Sequence, residues 1–326
     1  MNKEELHQTI NRLCVPGKGI LAADESTGTI GKRLKTINVE NNLENRINYR
    51  RLLFTTPNLN KHISGVITYE ETLLNKELIQ PLLDSNIVIG IKLDKGIKPL
   101  YYNNEYVSQG LDNLSDRCEK YYNAGARFAK WRSVLKIQNN DISEFAIQQN
   151  AMVLARYASI CQNHGLVPIV EPEIIMDGDH SIETTYKVTV KVLSVLYREL
   201  VRHNVILDCS LLKPNMVRSG DDNSSIISLD DIASLTVNAL QQTVPVSVPG
   251  IFFLSGGMSE MDSTLVLDKI NKLKTKKPWF LSFSYGRALQ ESVLKTWKGD
   301  YANIKLSQDR LQQRTTENGI VTLQKL

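Results

Sequence analysis

The sequence predicts a single closed (β/α)8 (TIM) barrel of the α/β class, with an N-terminal helix and a short C-terminal helical extension. Three observations lead there. Eight short apolar segments recur along the chain, segments of helical period separate them, and no Pro/Gly/Ser-rich linker divides the sequence.

The polar start, "MNKEELHQTI", reads as a helix rather than a secretory leader. The strand candidates then follow as "KGILAADES" (18–26), "ISGVITYEE" (63–71), "IVIGIKLDK" (87–95) and "RFAKWRSVL" (127–135). The second four are "VPIVEPEII" (167–175), "ILDCSLLKP" (206–214), "GIFFLSGG" (250–257) and "WFLSFSYGR" (279–287). Near-continuous apolar runs of this kind suit a parallel sheet covered on both faces. Between strands four and five, 143–165 has helical spacing, with Phe145, Ile147, Met152, Leu154, Ala155, Ala158 and Ile160 as its apolar stripe and His164-Gly165 as its stop. Residues 181–204 repeat the plan. The basic run "NKLKTKKP" (271–278) falls where a helix ends and lysines favour the dipole. After Trp297 the alternation weakens to one helix, "SQDRLQQRTT", and a terminal run, "GIVTLQKL". One domain is expected over 1–326, with the barrel at about 17–298 and the extension at 299–326.

With 326 residues and 42% hydrophobic content the chain can bury a large core. A formal net charge of +4 suits an anionic metabolite and is too small to argue for nucleic acid. Cys14, Cys118, Cys161 and Cys209 are scattered without a CxxC pair, as expected of reduced thiols in the cytoplasm. No apolar run approaches the roughly 20 residues of a membrane helix.

Active sites of this fold form where the C-terminal strand ends converge. Those ends carry Asp24, Lys92, Asp94, Lys130, Arg132, Glu171, Glu173, Lys213, Ser255 and Arg287. Each ionisable group costs desolvation there, so such a set points to chemistry. Lysines among carboxylates, without a metal-ligand cluster, suggest a Schiff base on a carbonyl, with no metal and no cofactor. An amine attacks only when unprotonated, and a neighbouring cation such as Lys130 helps it lose its proton. Lys213, between an apolar run and Pro214, is the candidate nucleophile. Glu171 or Glu173 on the adjacent strand is placed to shuttle protons, and Asp24 to accept one from a hydroxyl.

Anion handles stand beside them. "SGG" (Ser255, Gly256, Gly257) offers backbone N–H groups at the start of a helix beginning near "MSE". "SYGR" adds Ser284, Gly286 and Arg287, whose fork suits a phosphate. Across the mouth, "DESTGTIGKR" (24–33) supplies Ser26, Thr29, Lys32 and Arg33. Two clusters suggest a bisphosphate.

Blander readings exist for several of these residues. Lys213 can cap its strand, Asp94 and Arg132 can form a structural ion pair, and Glu173 is similarly ambiguous. Trp131 reads as packing rather than stacking on substrate. "DGDH" (177–180) reads as a loop, and His7, His62, His164 and His203 show no ligand spacing.

With "GKGILAADESTGTIGKRL", "GIKLDKG", "GARFAKWRSVLKI", "IVEPEI", "LLKPNMV", "FLSGGMSE" and "PWFLSFSYGRALQ" in place, the chain resembles the class I (Schiff-base) fructose-1,6-bisphosphate aldolases. The resemblance spans residues 17 to about 297. It implies metal-independent, reversible cleavage of fructose 1,6-bisphosphate to dihydroxyacetone phosphate and glyceraldehyde 3-phosphate, in glycolysis and gluconeogenesis. It implies Lys213 as the Schiff-base lysine, Glu171 as main proton shuttle with Glu173 beside it, Lys130 polarising the carbinolamine, and Asp24 acting on the C4 hydroxyl. Ser255, Gly256, Gly286 and Arg287 would hold the phosphate nearer the Schiff base, while Ser26, Thr29 and Lys92 approach the other. A homotetramer and cytoskeletal partners are further implications.

Two departures stand out. Relatives carry a mobile tail ending in a tyrosine, whereas this chain ends "GIVTLQKL" with its last tyrosine at Tyr301, so that tail is expected to be missing. Thr29 stands where relatives often have serine, and the hydroxyl is kept. Related readings keep the Schiff base but prefer fructose 1-phosphate or sedoheptulose 1,7-bisphosphate, or retain only a binding scaffold.

Overall fold

The computed structural model describes residues 2–101 and 104–323. All eight strand candidates form strands: β1 (Gly19–Ala23), β2 (Ile63–Thr68), β3 (Val88–Lys92), β4 (Phe128–Lys136), β5 (Val167–Ile175), β6 (Leu211–Leu212), β7 (Gly250–Phe253) and β8 (Phe280–Tyr285). Each pairs in parallel with the next, and β8 closes on β1 through Ile20 opposite Ser284. A small antiparallel hairpin, Ile97–Pro99 with Tyr106–Ser108, sits over the β3 end.

The helices, in chain order, are α1 (Lys3–Leu13), α2 (Thr27–Lys35), α3 (Leu43–Phe54), α4 (Glu70–Leu73), α5 (Lys76–Asp84) and α6 (Leu114–Asn123). They continue with α7 (Glu144–Asn163), α8 (Ile182–Arg202), α9 (Leu229–Thr243), α10 (Glu260–Lys272), α11 (Arg287–Trp297) and α12 (Ile304–Ile320). Among the described residues, no helix is long and apolar enough to cross a membrane. Ser and Asn side chains cap many of the N-termini, as Ser143 does by accepting from the Ala146 N–H at 3.0 Å. The 271–278 basic run does end a helix: the Lys277 ammonium donates to the carbonyls of Ile270, Asn271 and Leu273, at the negative end of α10.

Strand alternation explains why this barrel is closed at one end and chemical at the other. Phe128, Val167, Ile169, Leu211, Phe252, Ile20 and Val88 fill the lower interior, and Leu6, Ile10 and Leu13 of α1 plug it from below. The same inward rows continue upward as charge: Lys130 and Arg132 above Phe128, Glu171 and Glu173 above Ile169, Lys213 above Leu211. The opposite rows face the helices, where Trp131 packs on Tyr157 with ring centroids 5.3 Å apart. Trp131 is therefore packing.

Three expectations need correction. The sixth strand shrinks to two residues behind a 3-10 turn, Leu207–Cys209. There the Gln162 amide takes the Ile206 and Cys209 carbonyls, at 2.8 and 3.0 Å, removing them from the ladder. On α7, Phe145 and Met152 are exposed (48% and 42%), because the buried face runs through Ile147, Leu154, Ala155 and Ala158. Phe145 lies about 200° around the helix from Ile147. At the C-terminus, Gly319 and Ile320 of the expected terminal run belong to α12, which packs on α11 and α3; residues 324–326 of that run lie outside the described residues.

Candidate active site

Register brings the charged rows together at the mouth. Lys92 pairs with Lys130 across β3 and β4, and Arg132 with Glu171 across β4 and β5. The backbone N–H of Lys213 donates to the Val170 carbonyl at 2.8 Å, extending the short β6 by one rung and setting its side chain beside Glu171. Lys213 Nζ lies 3.2 Å from Glu171 Oε1, and Lys130 Nζ lies 3.3 Å from Glu171 Oε2. That second contact is a charge contact only: Oε2 is buried without a hydrogen bond, leaving an acceptor for an incoming hydroxyl.

Lys130 is the hub. Its ammonium also stands 2.8 Å from Asp24 and 3.8 Å from Asp94. Burial works against its charge, but Asp24, Glu171 and Asp94 outweigh that and raise its pKa above the ordinary lysine range. The converse holds for Asp24. Burial favours its neutral form, yet Lys130 and Lys213 hold its carboxyl well below the usual range, so it stays ionised. Asp94 is lowered in the same way by Lys130 and Lys92 against its burial. Lys92 Nζ is 2.8 Å from Asp94.

The structural ion pair, one of two readings of Asp94 and Arg132, does not form. Asp94 accepts the backbone N–H of Arg132 at 3.2 Å, while the Arg132 guanidinium pairs with Glu173. Two positions along a strand share a face, so Arg132 meets the inward Glu173 of the neighbouring strand instead. Burial disfavours the Arg132 charge, but Glu173 outweighs it and raises the pKa. This occupies Glu173 and leaves Glu171 as the carboxylate touching Lys213.

These groups line one cavity of about 310 Å³, together with Ser26, Thr29, Arg33, Ser255, Gly256, Ser284, Gly286 and Arg287. Asp24, Lys92, Lys130, Arg132, Glu171, Glu173 and Lys213 line it too. Two of the expected residues do not. Lys32 lies one position, about 100°, around α2 from Arg33 and faces an adjacent pocket with Thr36 and Leu294. Gly257 is not among the lining residues, and a Cβ on it would stand close to the guanidiniums of Arg218 and Arg287. The "SGG" turn also precedes its helix: α10 starts at Glu260 behind the Ser259 cap, so the turn, through Ser255 and Gly256, and not the helix end, borders the cavity.

Several lining groups are left open to an anion. Among the described residues, the Arg287 guanidinium has no carboxylate within 4.0 Å and no hydrogen bond, while its residue opens α11 behind Gly286. Ser284 Oγ is buried without a partner. Ser26 caps α2, its Oγ 3.1 Å from Thr29 Oγ1.

Glu25 and Arg50 also shape the site, and neither was expected. Glu25 is buried between Arg33 and Arg50, the latter at 2.6 Å, and Gln290 reaches both Glu25 and the Ala22 carbonyl. Burial raises the Glu25 carboxyl, but the two guanidiniums outweigh it and hold the pKa low. Glu25 lines the same cavity, and the only sequence signal for it was a second acidic residue beside Asp24.

Away from the mouth, "DGDH" is a loop as expected: its Gly178 and His180 carbonyls take the N–H groups of Asp222 and Gly220. At the closed end, contrary to the spacing argument, His7 comes within 3.3 Å of Asp208, next to Cys209. The Lys3 ammonium already neutralises that carboxylate at 3.1 Å.

A family model for class-I fructose-bisphosphate aldolase matches residues 5–326. Fructose-bisphosphate aldolase of Echinococcus multilocularis is 52% identical over 329 residues, covering 99% of this chain and 91% of that one. The cytosolic fructose-bisphosphate aldolase 4 of Arabidopsis thaliana is 55% identical over 314 residues, covering 94% and 80%. Among solved structures, fructose-bisphosphate aldolase of Plasmodium falciparum, in complex with TRAP and a small-molecule inhibitor, superposes with a TM-score of 0.96 at 49% identity, over 98% of this chain and 94% of that one.

Proposed function

The chain belongs to the class-I fructose-bisphosphate aldolase family, and from that premise we propose which of its residues carry the reaction. The protein is a lyase that reversibly cleaves fructose 1,6-bisphosphate to dihydroxyacetone phosphate and glyceraldehyde 3-phosphate through a lysine Schiff base. Lys213, as the free amine after passing a proton to Glu171, attacks the C2 carbonyl. Glu171 returns a proton to the carbinolamine hydroxyl, which leaves as water and gives the iminium. Lys130 stays charged beside both and stabilises the developing oxyanion. Asp24 takes the C4 hydroxyl proton; the C3–C4 bond breaks, its electron pair enters the iminium as an enamine, and the aldehyde departs. Protonation at C3 and hydrolysis then release the ketone and restore Lys213.

The observation carrying this reading is one carboxylate, Glu171, held 3.2 Å from one buried ammonium and 3.3 Å from another. Anion-seeking groups on both sides of that carboxylate favour a bisphosphate over a monophosphate. Ser255, Gly256, Ser284, Gly286 and Arg287 take the phosphate nearer Lys213. Ser26, Thr29 and Lys92 take the other, with Arg33 between, and Arg132 and Glu173 hold the far wall. Lys32 turns to the adjacent pocket, and Gly257 contributes through the backbone of its turn.

Borohydride reduction in EDTA, with dihydroxyacetone phosphate and peptide mass mapping, tests the assignment. A reduced adduct on Lys213 is expected. A folded protein that binds substrate but gives no adduct there overturns it.

The wider reading places the enzyme in the cytosol, as the names of the plant relatives support. It makes the chain one cooperative domain, because α12 folds back on α11 and α3, and a homotetramer. A single calorimetric transition and a sedimentation mass four times that of the chain check the last two. A macromolecular partner is part of this reading too, supported by the Plasmodium enzyme's complex with TRAP.

A further inference from the structure

The turn at Ser255–Gly257 holds two consecutive residues at positive φ, +52° at Gly256 and +84° at Gly257. It closes through the Met258 N–H, which donates to the Ser255 carbonyl at 3.0 Å. Arg218 grips it from outside. Its Nη2 donates to the Gly256 carbonyl at 2.7 Å and its Nη1 to Asp221 Oδ1 at 2.7 Å. In a trans peptide the carbonyl and the following N–H point in opposite directions. Pulling the Gly256 carbonyl toward Arg218 therefore turns the Gly257 N–H away from Arg218. Ser255 and Gly256 line the cavity and Arg218 does not, so the peptide carries its N–H on the side away from Arg218, in the turn that borders the cavity.

Charge adds to geometry. The Arg218 and Arg287 guanidiniums come within 3.4 and 3.6 Å of where a Cβ on Gly257 would sit. Two cations bracket the turn, one engaged with protein and one open. Arg218 also follows Lys213 by five residues in a single segment, and the Pro214 carbonyl within it accepts the Leu254 N–H at 3.0 Å. That segment thus sets the separation between the amine and the anion turn.

We infer that Arg218 is a positioning residue for the phosphate nearer Lys213, aiming the Gly256–Gly257 peptide at the anion and backing it with a fixed positive charge. This rests on the proposed roles of Lys213 and the Ser255 turn, and it concerns a residue outside the cavity wall.

Arg218→Met, which keeps the stem but loses the donors and the charge, is the test, with a thermal melt confirming the fold. The half-saturation of dihydroxyacetone phosphate in the borohydride reaction should rise about tenfold, the worth of one charge-assisted hydrogen bond. The KM for fructose 1,6-bisphosphate should rise in parallel while kcat stays within about twofold and the KM for glyceraldehyde 3-phosphate in condensation is unchanged. Arg218→Lys, keeping the charge, should recover part of the loss. An unchanged half-saturation in folded Arg218→Met, or an equal rise for glyceraldehyde 3-phosphate, overturns the inference. Failure of the unsubstituted protein to trap at Lys213 overturns the underlying assignment instead, so the two failures are distinguishable.

Discussion

Glu171 Oε1 sits 3.2 Å from Lys213 Nζ, and the contact is built by register rather than by a loop: the Lys213 N–H bonds the carbonyl of Val170, the residue before Glu171. Rigid strand placement would keep the proposed proton path the same length in each turnover. Glu171→Gln keeps the volume and an acceptor but exchanges no proton. The expected result is a fall in kcat of about 10²- to 10⁴-fold with KM little changed, and slower borohydride trapping, measured by steady-state assay and quench time course.

Lys130 is the shared counter-cation of Asp24, Glu171 and Asp94, and it is itself buried. Lys130→Met leaves three carboxylates in a low-dielectric mouth. The expected cost is about 3–5 kcal/mol in urea unfolding, with activity lost beyond what the remaining folded fraction explains.

The same cluster sets a pH window. The Asp24 pKa is depressed in the fold, so its stabilisation is present above the unfolded value of about 3.9 and is lost as pH falls from there toward the folded value. The Lys130 pKa is raised, so its stabilisation is present below the unfolded value of about 10.4 and is lost as pH climbs through and beyond it. The stability difference between the native protein and Lys130→Met should therefore plateau between about pH 5 and 9.5 and shrink on both sides. A difference that is flat through acid and alkali would contradict the assignment.

The two phosphate arms should separate by substrate. Arg287→Ala is expected to weaken fructose 1,6-bisphosphate and fructose 1-phosphate alike, by about 10- to 100-fold in KM. Thr29→Val should weaken only the bisphosphate, because fructose 1-phosphate lacks the phosphate that the proposal assigns to Thr29. Lys32→Ala, outside the cavity, should change neither.

The closed end of the barrel has its own test. A Cβ on Gly90 would come within 2.3 Å of the Phe128 ring, in a fully buried layer. Gly90→Ala is expected to cost about 1–3 kcal/mol in urea unfolding, through overpacking rather than any loss at the mouth.

Local pattern carried much of this protein. Period-two alternation along 127–135 already separates Phe128, Lys130 and Arg132 from Ala129 and Trp131, and eight apolar runs with charged ends set both the barrel and the end that does chemistry. Such features are short in range, so neighbouring residues suffice to read them. What the rows meet is a different matter. Arg132 chose Glu173 over Asp94, Glu25 was taken by Arg33 and Arg50, and Arg218 reached across 38 residues to the Gly256 carbonyl. Lys32 and Arg33, adjacent in sequence, parted by one helical step so that only one entered the cavity. The sixth strand shortened because a glutamine on another helix took its carbonyls. Each of these is a contest among partners brought close by strand register and helix rotation. Only the closed barrel decides it, because pairing depends on distances of a few ångströms between segments far apart in the chain.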